Sequence, residues 1–284
     1  MMNTPKKLNR MLSVQDVSCF GKCSLTVALP IVSAMGIECA VLPTAVLSTH
    51  TGCGFHDYTF RDLTDDIPAI ATHWESLGLT FDTLQSGYIG SAYQAEVVKA
   101  LFDRFGKDAH RVIDPVMGDG GKYYAGFDRA FTRSMKKLCE GADLIVPNLT
   151  EVSFLLDIPY CPDADEATLR GLLPALCKEV GCKAAVITGA RPAPDLQGAI
   201  GYVAETGEYA TAYNTHVEGA YHGTGDIFAA VLAGGITKGY PLQKAMQTAV
   251  DFTLACIEKT QGDTVHYYGV RFEEALPLLW QESI

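Results

Sequence analysis

Residues 218–239 read EGAYHGTGDIFAAVLAGGITKG, and the rest of the chain can be understood from this stretch. It opens with a glycine-bracketed turn, Gly223-Thr224-Gly225-Asp226, and its apolar residues then recur at helical spacing. Glycine lets the backbone turn tightly and lets a ligand approach the main chain. The unpaired N–H groups of a first helical turn, together with the helix dipole, attract anions. We therefore expect this turn to bind a phosphate or a developing anion.

Asp226 has two interpretations. Aspartate is a common residue at helix starts, so it could simply cap the helix. However, a helix start that attracts phosphate gains nothing from a carboxylate unless that carboxylate has its own role. A suitable role is to accept a proton from a hydroxyl that attacks the phosphate. Because the helix N-terminus stabilises negative charge, we expect a low pKa for Asp226 and an ionised carboxylate at neutral pH.

Strand-like and helical segments alternate through most of the chain. This alternation predicts right-handed crossovers and a mainly parallel sheet with helices on both faces. We expect residues 1–10 to be a flexible tail and residues 11–284 to be one domain. The predicted strands are 11–15, 37–47, 83–88, 111–114, 143–146 and 184–188, with a hairpin at 199–203 and 209–213. The predicted helices are 24–35, 63–77, 92–105, 128–139, 151–156, 166–180, 227–238 and 242–259, with a polar turn at 16–22 and a loop at 48–60.

Composition excludes several classes of function. The net charge of −11 argues against nucleic acid or an anionic membrane as the main partner. No apolar run approaches the length of a membrane span, and the first residues, MMNTPKKLNR, lack the apolar region of a secretory signal. The nine cysteines are scattered without zinc or C-x-x-C spacing, which is typical of reduced thiols. We expect a cytoplasmic protein.

Ligands of parallel sheets bind beyond the carboxyl ends of the strands, and four of the predicted strand-to-helix junctions carry acidic residues. Asp114 and Asp119 are the first and last residues of the segment Asp-Pro-Val-Met-Gly-Asp, which is followed by two further glycines. Spaced acids of this kind can bind Mg²⁺ through its water shell, although aspartate before proline or glycine also caps turns. The glycines predict a movable flap.

Asn148 and Glu151 open the predicted helix after the next strand. At this spacing they could form a capping box, in which each side chain accepts a hydrogen bond from the other residue's backbone N–H. They could also support a metal–phosphate complex. The two interpretations are compatible, because a cap also fixes the side chains in place.

Other motifs are weaker. His50, His56 and His222 lack matching ligands at metal-site spacing, so we expect structural or substrate-contact roles for them. The chain has no P-loop motif and no G-x-S-x-G elbow, so neither a P-loop nucleotide site nor a hydrolase is indicated.

Taken together, these segments resemble the pyridoxal kinase branch of the ribokinase superfamily, from Met11 to about Gly262. The motifs that carry the resemblance are Gly223-Thr-Gly-Asp226-Ile-Phe-Ala-Ala, Asp114-Pro-Val-Met-Gly-Asp119, Pro147-Asn148…Glu151, Val186-Ile-Thr188-Gly, Ser48-Thr-His50-Thr51-Gly and Ser86-Gly87-Tyr88. The resemblance implies a three-layer α/β/α sandwich and ATP-dependent phosphorylation of the 5′-hydroxymethyl group of a B6 vitamer. It also implies a homodimer.

The resemblance further implies roles for individual residues. Asp226 would be the base, and the Gly223, Thr224 and Gly225 amides would hold the transferred phosphoryl group. The other implied roles are Asp114, Asp119, Asn148 and Thr188 for the nucleotide, Glu151 and Asp114 for Mg²⁺ through water, and His50, Thr51 and Tyr88 for the pyridine ring. A monovalent cation is left open as a further activator.

Asp16 departs from the pattern. Pyridoxal kinases usually carry a serine after the glutamine that ends the first strand, whereas here Gln15 is followed by Asp16. Related hydroxymethylpyrimidine kinases have an acid near this place. Asp16 is therefore a candidate substrate-binding residue, and the choice among pyridoxal, pyridoxamine, pyridoxine and the pyrimidine of thiamin synthesis stays open. A vitamin-binding homologue with weak catalysis is a further alternative.

Overall fold

The computed structural model of the protein describes residues 8–52 and 54–280. Its strands are β1 (Arg10–Ser18), β2 (Glu38–Leu47), β3 (Phe60–Asp62), β4 (Thr83–Ser86), β5 (His110–Ile113), β6 (Gly118–Asp119), β7 (Lys122–Tyr123), β8 (Leu144–Ile145), β9 (Ala184–Ala193), β10 (Leu196–Val203) and β11 (Glu208–Thr215). Its α-helices are α1 (Leu25–Ala34), α2 (Ile67–Ser76), α3 (Ala92–Phe105), α4 (Arg129–Cys139), α5 (Leu149–Leu156), α6 (Glu166–Val180), α7 (Thr224–Thr237), α8 (Leu242–Thr260) and α9 (Pro277–Trp280). Short 3₁₀ turns lie at Thr64–Asp66 and Phe272–Glu274.

One large sheet runs through the described residues in the order β11-β10-β9-β8-β5-β4-β1-β2-β3. The pairs from β9 through β8, β5, β4 and β1 to β2 are parallel. Antiparallel pairs occur at its two ends, where β10 joins β9 and β11, and β3 joins β2. The prediction of a mainly parallel sheet with a late hairpin is confirmed.

Helices cover both faces of this sheet because successive strand residues point to opposite sides. On one face, Met11 and Val112 pack in the cluster that includes the buried residues of α1, α7 and α8. On the other, Leu12 and Ile113 pack with those of α3, α4 and α6. The three-layer α/β/α architecture is therefore confirmed. Among the described helices, none combines the length and apolar character that crossing a membrane requires.

Local sequence explains the helix boundaries. The Ser91 hydroxyl caps α3 by accepting the Gln94 N–H at 3.0 Å, and Asp165 caps α6 by accepting the Thr168 N–H at 2.8 Å. Helix α6 ends at Gly181, which adopts the left-handed conformation usual for glycine at this position. Both helices have the predicted bounds, 92–105 and 166–180.

Several boundaries differ from the predictions. Strand β1 continues to Ser18 through an irregularity between Gln15 and Val17, so Asp16 lies within the strand and not in a polar turn. It also begins at Arg10, inside the expected tail, whose residues 1–7 lie outside the described part. The predicted loop 48–60 gives way to β3 at Phe60, and residue 53 lies outside the described part.

The expected flap after Asp114 contains the short β6–β7 hairpin. Its movement stays a prediction, as does the assignment of residues 11–284 to one domain.

Candidate active site

The predicted site residues meet at the carboxyl edge of the sheet. Asp16 lies near the end of β1, and Tyr88, Asp114 and Asn148 follow β4, β5 and β8. Thr188 lies in β9 and forms a parallel bridge with Asn148. This is the edge at which open α/β sheets bind their ligands.

The Gly223 turn depends on glycine for two reasons. Gly223 has φ 83°, and a Cβ at this position would lie 2.2 Å from the Lys22 carbonyl oxygen. Helix α7 starts directly after it, so the amides of its first turn have no partners within the helix. A Cβ at Gly225 would meet nothing within 4 Å, and Gly225 is exposed. The turn is thus fixed at Gly223 and open to a ligand at Gly225.

Asp226 lies in the first turn of α7, and its predicted low pKa is wrong. Burial raises the pKa of Asp226 from 3.8 to about 7. A hydrogen bond from the backbone N–H of Ser24 acts in the opposite direction, and the negative charge of Asp16 adds to the increase. Desolvation therefore outweighs the helix dipole at this position. A carboxylate of this pKa is a stronger base than an ordinary aspartate.

A string of interacting carboxylates crosses the site. Burial, then the charges of Glu151 and Asp226, raise the pKa of Asp114 well above its usual range. Asp226 interacts in turn with Asp16. Asp226 thus interacts both with Asp114, a predicted metal and nucleotide residue, and with Asp16, a predicted substrate residue.

Glu151 and Asn148 form the predicted capping box. The Asn148 Oδ1 accepts the Glu151 N–H at 3.0 Å, and the Glu151 Oε2 accepts the Asn148 N–H at 2.8 Å. The Glu151 Oε1 also accepts the Met117 N–H at 2.9 Å, and the Asn148 Nδ2 donates to the Gly118 carbonyl at 2.8 Å. Burial raises the pKa of Glu151 to about 8, despite these backbone donors. Both residues therefore fasten the Asp114–Gly121 segment to α5.

Asp119 and Thr188 are less buried than Glu151. Asp119 is exposed in the β6–β7 hairpin, where its Oδ1 accepts the Gly120 N–H at 2.7 Å. The Thr188 N–H donates to the Pro147 carbonyl at 3.0 Å, which leaves its half-buried side chain beside Asn148. Their nucleotide roles stay predictions.

Asp16 is buried, with 4% of its surface exposed. Its Oδ2 accepts the Ser18 hydroxyl at 2.9 Å. Burial raises the pKa of Asp16, whereas the nearby hydroxyls of Ser24 and Ser18 lower it. Tyr88 interacts with Asp16, and burial raises the pKa of Tyr88 to about 12. The Tyr88 ring lies 5.7 Å from the Phe127 ring, so the two side chains form an aromatic pair.

His50 is engaged by the backbone at both ring nitrogens. Its Nε2 donates to the Tyr268 carbonyl at 2.9 Å, and its Nδ1 accepts the Gly52 N–H at 3.0 Å. Burial lowers the pKa of His50, which keeps the ring neutral. A substrate could therefore contact only its ring carbons. Thr51 is exposed, and its predicted substrate contact is not tested.

Ser24, Ser18 and Phe127 were missed by sequence reasoning. Phe127 lies 39 residues beyond Tyr88, whose ring it contacts, and nothing in the local sequence marks it. Ser24 precedes α1, where a serine is ordinarily interpreted as a cap, but its hydroxyl does not cap the helix.

The donor set fits a hard cation such as Mg²⁺. Burial, then the charges of Glu151 and Asp226, raise the pKa of Asp114, and a divalent cation would relieve the repulsion among these carboxylates. No group of three or more His, Cys, Asp or Glu side chains within the described residues has the arrangement of a closed metal site. Mg²⁺ usually keeps several water ligands, so one or two carboxylates are enough to hold it.

The sequence profile described as phosphomethylpyrimidine kinase matches residues 32–269. The chain belongs to the phosphomethylpyrimidine kinase family. A Bacteroides thetaiotaomicron protein assigned to the phosphomethylpyrimidine kinases and solved with pyridoxal is 35% identical, with a TM-score of 0.90 over 96% of each chain.

Pyridoxal kinases are also among the proteins to which this chain is similar. The Lactobacillus plantarum pyridoxal kinase is 34% identical, with a TM-score of 0.87 over 97% of this chain and 98% of that one. The pyridoxine/pyridoxal/pyridoxamine kinase of Bordetella bronchiseptica is 28% identical over 88% of this chain and 89% of its own length. The predicted resemblance to pyridoxal kinases is confirmed.

Proposed function

We propose that the protein is a kinase that uses ATP to phosphorylate the 5′-hydroxymethyl group of a B6 vitamer. The observation that carries this proposal is the position of Asp226 in the first turn of α7, beside the Gly223–Gly225 turn and within electrostatic reach of Asp114 and Asp16. The pyridoxal in the Bacteroides structure supports the choice of substrate. One edge of the sheet thus brings together a base, an anion cradle and a site for an aromatic ring.

The chain's own groups account for the transfer. Asp226 accepts the proton of the vitamer hydroxyl as its oxygen bonds to the γ-phosphorus, and the bond from that phosphorus to the bridging oxygen of ADP breaks. The amides of the Gly223–Gly225 turn hold the transferred phosphoryl oxygens. Asp114 would hold Mg²⁺, which neutralises phosphate charge when bound. Glu151 and Asn148 keep the segment that bears Asp114 in place.

Asp16, Tyr88 and Phe127 orient the ring of the substrate. Asp16 can accept a hydrogen bond from a protonated ring nitrogen, a phenolic hydroxyl or an amino group, and a buried carboxylate requires such a donor. Tyr88 and Phe127 supply an aromatic wall. Binding at this wall would align the hydroxymethyl group with Asp226, and such alignment supplies most of the rate enhancement in phosphoryl transfer.

Phosphorylation of hydroxymethylpyrimidine is the second candidate. Asp16 favours it, because the carboxylate could accept a hydrogen bond from the amino group of that pyrimidine. The match to the phosphomethylpyrimidine kinase profile also supports this second candidate. A vitamin-binding protein without efficient transfer is the third possibility, and the open amides at Gly225 argue against it.

Dependence on Mg²⁺, a homodimeric state and a cytoplasmic location also belong to this proposal. The carboxylates around Asp226 support the first, and the resemblance to pyridoxal kinases supports the second. The nine cysteines of the sequence are scattered without zinc or C-x-x-C spacing, which supports a reducing compartment. Excess EDTA should abolish turnover, and light scattering should give the mass of two chains.

A substrate panel tests the proposal. Pyridoxal, pyridoxamine, pyridoxine and hydroxymethylpyrimidine are compared by Tm, with and without Mg-ATP, and by kcat/KM. Ligands that bind the folded protein raise its Tm by mass action. We expect kcat/KM for at least one vitamer to exceed that for the pyrimidine by about tenfold or more. A preference for the pyrimidine would favour the second candidate, and binding without turnover the third.

A further inference from the structure

Gln94 lies in the first turn of α3, and its spacing from the Ser91 cap is that of a capping box. In that motif the glutamine side chain would accept the N–H of the capping residue itself. Here the Gln94 Oε1 instead accepts the N–H of Gly90, one residue earlier, at 2.7 Å. Gln94 is buried, with 1% of its surface exposed. Its side chain therefore holds the loop between β4 and α3.

The amide nitrogen of Gln94 binds the neighbouring edge of the sheet. Its Nε2 donates to the Thr44 carbonyl in β2 at 2.9 Å and to the Thr64 hydroxyl at 2.7 Å. The Thr64 hydroxyl donates in turn to the Asp62 carboxylate at the end of β3. These partners fix the orientation of the carboxamide, because its nitrogen can only donate and its oxygen can only accept. One buried side chain therefore connects the loop before α3 to β2 and β3.

The loop that Gln94 holds carries Tyr88. The Thr44 hydroxyl donates to the Tyr88 carbonyl at 3.3 Å, so the loop is fastened to β2 at a second point. A Cβ placed on Gly90 would lie 3.5 Å from the Gln94 Oε1 and 3.8 Å from the Tyr88 Cε1. The Phe60 Cζ lies 3.5 Å from the same point. The carboxamide, the Tyr88 ring and the β3 edge therefore meet at Gly90.

A purely structural role would give this network no effect on ligands. Buried polar groups need hydrogen-bond partners in any part of a protein, and losing one lowers stability. However, the acceptor bond of Gln94 acts on the loop that carries an aromatic residue of the proposed ring pocket. A fully satisfied buried network makes its surroundings rigid. The position of this network therefore indicates a role in placing the Tyr88 ring.

We propose that Gln94 is a positioning residue that holds the Tyr88 loop against β2, so that the Tyr88 ring stands in a fixed place to receive the ring of the substrate. The inference rests on the proposed function, in which Tyr88 contacts that ring, and it assigns a role to a residue that does not itself touch the substrate. Contacts between aromatic rings depend on their relative geometry. A loosened loop should therefore weaken binding of the vitamer and spare binding of ATP.

Two substitutions loosen the loop. Gln94→Met keeps the length of the side chain and removes its hydrogen bonds. We expect the Kd for pyridoxal, measured by calorimetry without ATP, to rise about three- to tenfold, which is the worth of one aromatic contact. KM for the vitamer should rise with it, while kcat and KM for ATP stay unchanged. Thr44→Val removes only the hydroxyl that binds the Tyr88 carbonyl, and it should raise this Kd about threefold, as expected for one neutral hydrogen bond.

Thr237→Val is the matched control. Thr237 is buried at the end of α7 that lies farthest from the Gly223 turn, and its hydroxyl bonds to the Thr83 hydroxyl at 2.8 Å and to the Ala233 carbonyl at 2.7 Å. The substitution loses buried hydrogen bonds away from the site, so it should lower the Tm and leave the Kd for pyridoxal unchanged.

A double-mutant cycle tests whether Gln94 acts through Tyr88. In a Tyr88→Ala background, Gln94→Met should add little further change in the Kd for pyridoxal, because the ring that it positions is already absent.

The proposal is overturned if Gln94→Met leaves the Kd for pyridoxal within about twofold of wild type, below the smallest loss expected for an aromatic contact. It is also overturned if the effect keeps its full size in the Tyr88→Ala background, or if Thr237→Val raises the Kd by as much. Should Gln94→Met fail to fold, an unchanged Kd in Thr44→Val overturns it.

The binding measurement separates this result from the proposed kinase function. A wild type that binds pyridoxal without turnover refutes the kinase alone, since Kd still tests Gln94→Met. A wild type that binds hydroxymethylpyrimidine and not pyridoxal refutes the choice of substrate, and the same variants are then compared by their Kd for the pyrimidine. A wild type that binds neither ring refutes both proposals.

Discussion

Replacing Asp226 by asparagine separates the catalytic role of this residue from its structural one. Asparagine keeps the shape and the capping ability of the side chain but cannot accept the proton of the attacking hydroxyl. We expect kcat to fall by about 10²–10⁴-fold, the usual contribution of a general base. KM for ATP and for the vitamer should change little, since the Gly223–Gly225 amides and Asp16 remain.

The structure also gives the expected change in stability. Because the folded-state pKa of about 7 lies above the ordinary 3.8, the folded protein favours protonated Asp226. The free energy of unfolding is therefore highest below pH 3.8 and falls as the pH rises from 3.8 to about 7. The difference in pKa corresponds to an upper limit of about 4 kcal/mol at pH 8. Asparagine has no charge to desolvate, so Asp226→Asn should be more stable at pH 8 and nearly unchanged at pH 4.

Thermal denaturation of the ligand-free protein between pH 4 and pH 8 tests this reasoning. A gain of 1–4 kcal/mol corresponds to a rise in Tm of roughly 2–8 °C for a chain of this size. Asp163→Asn, at an exposed aspartate before α6, is the matched control and should give no pH-dependent difference. A variant that retains near-normal kcat would refute the role as base. A Tm difference that does not grow with pH would refute the assignment of a raised pKa to Asp226.

Three further predictions concern the surroundings of Asp226. Gly223→Ala should lower the free energy of unfolding, measured by urea denaturation, by about 2–4 kcal/mol, because the added methyl group meets the Lys22 carbonyl at a positive φ. Gly225→Ala should keep the Tm and reduce kcat, measured by turnover, because its methyl group enters the open space at the turn. Glu151→Gln should leave one buried backbone N–H without an acceptor and lower the free energy of unfolding by about 1–3 kcal/mol. Added Mg²⁺ should partly rescue its activity. An unchanged free energy of unfolding would contradict the hydrogen bonds of Glu151. Asp16→Ser should shift relative kcat/KM among vitamers and hydroxymethylpyrimidine while sparing KM for ATP, and an equal loss for every substrate would show that Asp16 only maintains the fold.

Features that depend on local sequence were predictable. The bounds of α3 and α6 follow from helical spacing and from a capping residue within three positions of the helix start. The capping box of Asn148 and Glu151 is likewise a contact between residues i and i+3. The rule that ligands bind at the carboxyl ends of parallel strands then locates the site without further information.

Features that depend on burial were not predictable. The helix N-terminus alone gives a low pKa for Asp226, since the dipole is a property of α7 itself. The desolvation that raises it to about 7 comes from the packing of other elements over α7, and the Ser24 N–H that opposes it comes from two hundred residues earlier in the chain. Sequence spacing contains no information about such contacts. The irregularity that extends β1 through Asp16 similarly depends on pairing with β2.

Asp16 shows how one departure from a family pattern should be interpreted. A carboxylate in a buried pocket is tolerated only with hydrogen-bond donors, and here the Ser18 hydroxyl donates to Asp16 at 2.9 Å. The departure at position 16 therefore involves a second residue, two positions further along the same strand. If Asp16 decides which ring is bound, changing it alone shifts the substrate preference and also leaves the Ser18 hydroxyl without its carboxylate partner.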